Sequence, residues 1–370
     1  MLLKRKTKII QINWEGNNLK KKIAVISTGN GGQSMAAYIA LKGYPVTLYA
    51  REQERVDMFS NRIFKVKGIV NDTAEISLIS CKMEEVIKDA YIILVTTPAQ
   101  YHQAVAKQMA PHLKDKQTVI LNPGRTFGTY EFEQVLKNNG CKAEILLGET
   151  DTFIFTCRCE KPGYPHIHEM KKKVKIAGHN KEDTAILVDM MNKLFHDIEP
   201  AKSTLHTGLS NMGIIFHPLP TLMNITRIEA KEIFRYYIDG ISPLVANILE
   251  ELDNERVKIA KKAGIEVLPV CEWLKEKYSS IGNNLYECIQ NTHAYSNVLA
   301  PFEIDTRYIY EDVQTGCVPV CCLAKELGIK TRILDSVIDW ASIVYKKDFM
   351  QTGRNSSKLD IRKILNDNLK

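Results

Sequence analysis

The residues Gly29-Asn30-Gly31-Gly32-Gln33-Ser34 form a G-x-G-x-x-S turn, with Ser34 where the third position commonly carries Gly or Ala. A β-branched run over residues 22–27 precedes it, and a helical pattern through Met35, Ala36, Ile39, Ala40 and Leu41 follows. Such a turn alone is a weak signal. Between a strand and a helix it has a mechanism: Gly29 gives the tight turn, Gly31 removes the side chain that would block a pyrophosphate, and the free N–H groups of the helix after Gly32 point at the anion. The expected ligand is a dinucleotide. About 20 residues on, where an NAD site carries an acid for the ribose 2′-hydroxyl, this chain has Tyr49, Ala50 and Arg51, with no carboxylate before Glu52. A guanidinium there suits a 2′-phosphate through charge-assisted hydrogen bonds. NADPH is therefore expected over NADH.

Proton chemistry near neutral pH points to imidazole, whose reference pKa is about 6.5. His217 stands in the apolar stretch of residues 209–225, before Pro218. On its own residue environment it fits a buried structural histidine, hydrogen-bonded to backbone, better than a catalytic one. Lys231, Lys258, Lys261 and Lys262 fall on charged helical faces and read as solvated. The nine cysteines, at 81, 141, 157, 159, 271, 288, 317, 321 and 322, include no C-x-x-C pair, which argues against a zinc tetrahedron and for a reduced compartment. His166 and His168, with His179, read as an exposed loop rather than a metal cluster. No metal is expected.

These residues need a scaffold. Strand signals recur at residues 22–27, 45–49, 76–79, 91–96, 118–121 and 144–147, with helical patterns between them at 52–61, 83–88, 100–113 and 130–139. Alternation of that kind builds a parallel sheet with helices on both faces. Beyond about residue 205 helical patterns dominate, at 209–223, 243–263, 267–278, 318–327 and 332–345, and Ser356 and Ser357 are expected to cap a last helix over 358–369. The fold class expected is α/β: an N-terminal Rossmann-type doubly wound parallel sheet over residues 21–203 and a mainly α-helical C-terminal domain over 204–370, with a cleft between them. Residues 1–20 read as a basic leader, disordered or extended. With 45% apolar residues, 370 residues suffice for two cores. The net charge of +7 is terminal: seven Lys/Arg face one Glu in residues 1–22 and seven face three Asp in 346–370, leaving the body slightly acidic. Such ends read as solvated tails, so no nucleic-acid partner is expected. Prolines and polar residues interrupt the longest apolar stretch, and the start has no secretory apolar region, so no membrane contact and a cytoplasmic location are expected.

Four segments are similar to the octopine/nopaline (opine) dehydrogenase family. They are Leu121-Asn122-Pro123-Gly124-Arg125-Thr126-Phe127-Gly128, with Phe127 where a glycine is common; Glu149-Thr150-Asp151-Thr152 with Cys157-Arg158; His206 to Asn211 through Phe216-His217-Pro218 to Asn224 and Arg227-Ile228-Glu229; and Arg307 to Val313 with Gly316-Cys317-Val318-Pro319. The resemblance implies that His217 and Asp312 are a catalytic pair and that Arg307 binds the carboxylate of a 2-oxo acid. It implies a reductive condensation of an amino acid with a 2-oxo acid such as pyruvate, giving an N-(1-carboxyalkyl) amino acid. Chemistry agrees: a carboxylate on the second ring nitrogen of His217 fixes its tautomer and is expected to raise its pKa, and the fork of Arg307 matches a carboxylate. The plainer alternatives are a helix N-cap for Asp312 and a surface ion pair for Arg307. Gly29, Asn30, Gly31, Gly32, Arg51, Thr97, Pro98 and Asn122 make up the expected cofactor-binding set. Asn211, Asn224 and Glu229 fit a pocket or helix ends equally, and His206 the domain junction. The rival enzymes are a ketopantoate reductase-like or glycerol-3-phosphate dehydrogenase-like oxidoreductase with a lysine acid; the rival from another class is a non-catalytic dinucleotide sensor. Neither the amine partner nor the quaternary state is legible, although the resemblance leaves room for a homodimer through the helical domain.

Overall fold

The computed structural model describes residues 20–368, so the basic leader up to residue 19 and the last residue of the expected final helix lie outside it. Twelve strands precede residue 201: β1 (Ile23–Ile26), β2 (Val46–Tyr49), β3 (Ile63–Gly68), β4 (Asp72–Glu75), β5 (Leu78–Ser80), β6 (Ile92–Val95), β7 (Thr118–Leu121), β8 (Leu146–Thr150), β9 (Phe155–Cys159), β10 (Pro165–Met170), β11 (Val174–Gly178) and β12 (Ile198–Pro200). The main sheet has the order β5-β2-β1-β6-β7-β8-β11-β12 and is parallel from β5 to β8. Its central strands are buried on both faces: Ile23 and Val25 enter one core with Met35 and Ile39, while Ala24 and Ile26 enter the other with Val105 and Met109. That is why these strands read as unbroken apolar runs. The chain goes from β1 to β2 on one side and later to β6 on the other, so the crevice at this reversal opens at the carboxyl ends of β1 and β6.

Two features of the sheet half depart from the sequence expectation. β11 runs antiparallel to β8. A second sheet of order β4-β3-β10-β9 packs on the helix Asn30–Leu41, where Tyr38 meets Phe155 edge-on at 5.2 Å. His166 and His168 belong to β10 rather than to a loop, with ring centroids 4.0 Å apart, while His179 packs edge-on against Tyr130. Lysines at alternate outward positions of β3 and β10's polar side hide this sheet from a search for apolar runs.

Beyond Pro200 the described chain is helical apart from an isolated bridge between Arg235 and Leu299. The expected helix over 209–223 is in fact three short ones, Thr204–Leu209, Gly213–Phe216 and Pro218–Met223. Pro218 and Pro220 supply no N–H, and a residue before proline is pushed out of the α region. His217 is that residue, yet it keeps α-region angles, φ −111° and ψ −60°, so the interruption rests on the N–H missing at Pro218. Another interruption shapes the helix Arg307–Asp312, which widens into a π turn over Val313–Cys317 before Val318–Glu326 continues. Asp312 is therefore inside a continuous helical path and not an N-cap. The wide turn frees carbonyls that the sheet half and the C-terminus use: Thr126 N–H donates to Thr315 O at 3.1 Å and Arg354 N–H to Gln314 O at 2.9 Å.

The C-terminal expectations need two corrections. The last helix is Ile361–Asn368, and Asp360 accepts from Lys363 N–H at 2.9 Å as its cap, whereas Ser357 bonds Asn355. Nor is the basic tail all solvated. Arg354 is fully buried, donating to Glu131 Oε2 at 2.6 Å and to the carbonyls of Gly124 and Thr126, both at 3.1 Å. Among the described residues no helix is long and apolar enough to cross a membrane.

Candidate active site

The phosphate-type turn sits at the carboxyl end of β1, at the strand-order reversal. Its helix begins at Asn30, earlier than expected, so Asn30, Gly31 and Gly32 are the first turn, whose N–H groups have no intrahelical acceptor. Gly29 has an ordinary φ of −71° and is not forced to be glycine by its backbone. Gly31 and Gly32 are forced by packing: a Cβ on Gly31 would meet the Phe153 ring at 2.7 Å, and one on Gly32 would overlap the Ser27 carbonyl. The Asn30 side chain accepts from Cys159 N–H at 3.1 Å, which ties the turn to β9. At the ends of β6 and β7, Thr97 Oγ1 and Asn122 Nδ2 are buried and have no hydrogen-bond partner. Buried polar groups are ordinarily satisfied, so these two fit a polar ligand lying across the strand ends, as a nicotinamide dinucleotide would. Arg51 is largely exposed and pairs with Glu52 at 2.9 Å. Arg55, which the sequence did not single out, donates to Thr28 O at 3.0 Å beside the turn.

The structure brings His217, Asp312 and Arg307 to the same edge. His217 Nδ1 lies 2.7 Å from Asp312 Oδ2, and Asp312 is fully buried. With a carboxylate as partner, Nδ1 carries the proton and Nε2 is left to act as acceptor. Tyr308 stacks on the imidazole at 4.1 Å, and Tyr237 Oη is 3.4 Å from Nε2. The backbone of His217 is fixed as well, its carbonyl accepting from Thr221 Oγ1 at 2.7 Å and Tyr236 Oη at 2.8 Å. Burial pushes the imidazole pKa down, and this outweighs the pull of Asp312, with Arg307 and Arg125 adding to the lowering. Asp312 thus raises the imidazole as expected, but burial sets the net direction. His217 rests neutral, because desolvation of the imidazolium costs more than one shared carboxylate returns.

Arg307 opens the helix that ends at Asp312, and Thr306 caps it. Its side chain is half-exposed, and Nη1 donates to Glu311 Oε2 at 3.0 Å. Glu311 is buried, also accepts from Ala99 N–H at 3.0 Å, and holds Arg125 through both oxygens at 3.2 and 3.3 Å. Burial alone would raise its carboxyl; Arg125 and Arg307 overcome that and hold it well below the usual carboxylate range.

Arg125, Glu311 and Asn211 are the residues that the sequence reasoning left without a role or did not separate from other roles. Asn211 Oδ1 accepts from Arg125 Nη1 at 3.1 Å. Asn224 instead bonds Pro220 O and Gly240 O and serves a helix end, and His206 accepts from Lys202 N–H. Lys171 was missed too: it donates to Thr152 Oγ1 at 2.9 Å, and burial lowers it to about 8. The one sequence signal available was charge inside apolar surroundings, as at Arg125 between Leu121 and Phe127. Among the described residues no group of three or more His, Cys, Asp or Glu side chains is placed to hold a metal ion.

A glycine turn at the switch point of a Rossmann-type sheet, together with an imidazole–carboxylate pair and two guanidiniums tied through Glu311 to the segments after β6 and β7, defines a two-domain dinucleotide-dependent oxidoreductase. Residues 200–345 match the family model of the NAD/NADP octopine/nopaline dehydrogenase alpha-helical domain, and residues 22–126 that of the NAD-dependent glycerol-3-phosphate dehydrogenase N-terminus. An opine dehydrogenase of Arthrobacter sp. (strain 1C) is 36% identical over 92% of this chain and 95% of its own length. Among solved structures, octopine dehydrogenase with NADH and L-arginine superimposes with a TM-score of 0.76 at 18% identity, covering 94% of this chain and 96% of that one. Yersinopine dehydrogenase with NADP+ bound gives 0.72 at 15% identity, covering 94% and 98%. The chain belongs to the opine dehydrogenase family, whose members are NAD(P)-dependent oxidoreductases acting on CH–NH donors.

Proposed function

We propose that this protein is an NADPH-preferring opine dehydrogenase that condenses an amino acid with a 2-oxo acid such as pyruvate and reduces the product to a secondary amine. The observation that carries this reading is the 2.7 Å contact of His217 with buried Asp312 beside Arg307, at the carboxyl edge of the nucleotide-binding sheet. Gly29, Asn30, Gly31, Gly32, Arg51, Thr97, Pro98 and Asn122 hold the cofactor, which when bound supplies hydride to the carbon that was the oxo carbon. Arg307 binds and orients the oxo-acid carboxylate by its two parallel N–H groups. His217, neutral at rest, accepts at Nε2 a proton from the attacking amine, and Asp312 stabilises the imidazolium that forms. That proton passes to the former oxo oxygen to give the carbinolamine hydroxyl, and a second proton from the same nitrogen follows by the same route as the hydroxyl leaves as water, so the C=N nitrogen, which entered as an ammonium, keeps one hydrogen and His217 returns to its resting state before reduction.

Arg51 and Arg55 support the NADPH preference: they place two guanidiniums after β2, where a 2′-phosphate would displace Glu52 from Arg51. The helical-domain match favours this reading over a ketopantoate-type or glycerol-3-phosphate-type enzyme, and the four lysines of the helical half that could have served such an acid are exposed. The nine unpaired cysteines suit a reducing compartment, and we place the protein in the cytoplasm. The test is NADPH oxidation with pyruvate and a panel of amino acids. Amine-dependent consumption is expected; amine-independent consumption supports the rival reductases, and none at all supports a sensor. His217→Ala should lower turnover by around a hundredfold or more with NADPH binding retained. Equal or better use of NADH removes the role of Arg51.

A further inference from the structure

Arg125 belongs to the sheet half, yet its guanidinium lies among side chains of the helical half. It follows β7, and the peptide carbonyls on either side of it, those of Gly124 and Thr126, are both held by buried Arg354 at 3.1 Å. Its Nε and Nη2 grip the two oxygens of Glu311, Nη1 donates to Asn211 Oδ1, and Nη1 also lies 3.5 Å from Asp312 Oδ1. The other oxygen of Asp312 holds His217. Glu311 in turn holds Arg307. One cation therefore touches both carboxylates on which His217 and Arg307 depend. Gly213 leaves the room for this: a Cβ there would overlap Asp312 Oδ1 and lie 2.9 Å from Arg125 Nη1. Arg125 is not itself placed to read a substrate, because its donors are engaged inward and its side chain is 13% exposed, against 50% for Arg307.

Resting on the functional reading above, we propose that Arg125 is a positioning residue for the reaction: a clamp from the sheet half that fixes the His217–Asp312 pair and, through Glu311, the guanidinium of Arg307. Its charge also reaches His217. The groups that face that imidazole are Asp312 at Nδ1, Tyr237 at Nε2, Tyr308 on its ring face, and the cations Arg307 and Arg125. Of these, Arg307 and then Arg125 oppose protonation of His217, and Arg125 also competes for Asp312.

The experiment is a histidine NMR titration of His217 together with kcat, KM and Tm for the wild type, Arg125→Gln and Arg125→Lys. Loss of charge in Arg125→Gln should move the His217 midpoint up. Arg125→Lys keeps the charge, so its midpoint should stay near that of the wild type. Its kcat should still fall at least about fivefold, because an ammonium cannot span Asp312, Asn211 and Glu311 together. An unmoved midpoint in Arg125→Gln, or wild-type kcat in Arg125→Lys, overturns the proposal. If Arg125→Gln does not fold, Arg125→Lys decides alone. A wild type without amine-dependent NADPH oxidation would instead overturn the functional reading, and the NMR titration would still report on the coupling.

Discussion

Asp312→Asn removes one charge and little volume, which makes it a sharp probe of the mechanism. The carboxylate accepts from His217 Nδ1 at 2.7 Å in a fully buried setting. A hydrogen bond to a charged group contributes about 1.5–3 kcal/mol, and 1.36 kcal/mol corresponds to about one pH unit. Burial already holds His217 below its ordinary value, against the pull of Asp312. Without that carboxylate the midpoint should drop by a further one to two pH units, roughly. At neutral pH the imidazolium becomes about ten- to a hundredfold harder to form, and turnover should fall at least as far. It falls further if the new amide turns its NH2 toward Nδ1 and reverses the tautomer. Arg125, 3.5 Å from the other oxygen, loses a partner as well, so Tm must be measured alongside. The assay is amine-dependent NADPH oxidation as a function of pH, with a histidine NMR titration of the same variant. Turnover within a factor of about three, with an unchanged pH profile, would refute the reasoning.

Gly213→Ala puts a methyl group into the Asp312 carboxylate and against Arg125 Nη1. A loss of about 1–3 kcal/mol in urea unfolding is expected from overpacking, together with at least a tenfold fall in kcat; a stable, fully active variant would show the carboxylate is not where it is placed. Burial lowers His102 to about 3 and His206 to about 4, both below the value of about 6.5 in the unfolded chain. The unfolded state therefore binds more protons in between, so stability present above pH 6.5 should be lost as pH falls toward 4 and then 3. Urea melts at pH 7.5 and 5 measure this, and His102→Gln should flatten the difference. Arg354→Met leaves Glu131 buried without its cation and should cost about 3–5 kcal/mol, part of it recovered by adding Glu131→Gln. A double-mutant cycle showing no coupling would mean that Arg354 and Glu131 do not form the buried pair.

The sequence by itself determined the nucleotide half well, because its signals are local. A β-branched run, a glycine turn and a helix pattern are all properties of adjacent residues, and they put Gly29 to Gly32 at the end of β1 without any long-range knowledge. His217, Asp312 and Arg307 came from resemblance rather than from pattern, since residues 217 and 312 lie 95 positions apart and nothing local links them. Tertiary structure alone decided the rest. It broke the apolar stretch at His217, after which Pro218 begins a new short helix, and it opened the π turn after Asp312. It also brought Arg125, which follows β7, to the buried carboxylates of Glu311 and Asp312, and Arg354 from the C-terminal tail to Glu131 and the carbonyls on either side of Arg125. Whether a charged side chain is solvated or buried depends on what packs over it, and for Arg354 that cover comes from residues more than 200 positions away. The same holds for the direction of the His217 shift: a neighbouring carboxylate can be foreseen from sequence, but how much water the fold removes from the ring cannot.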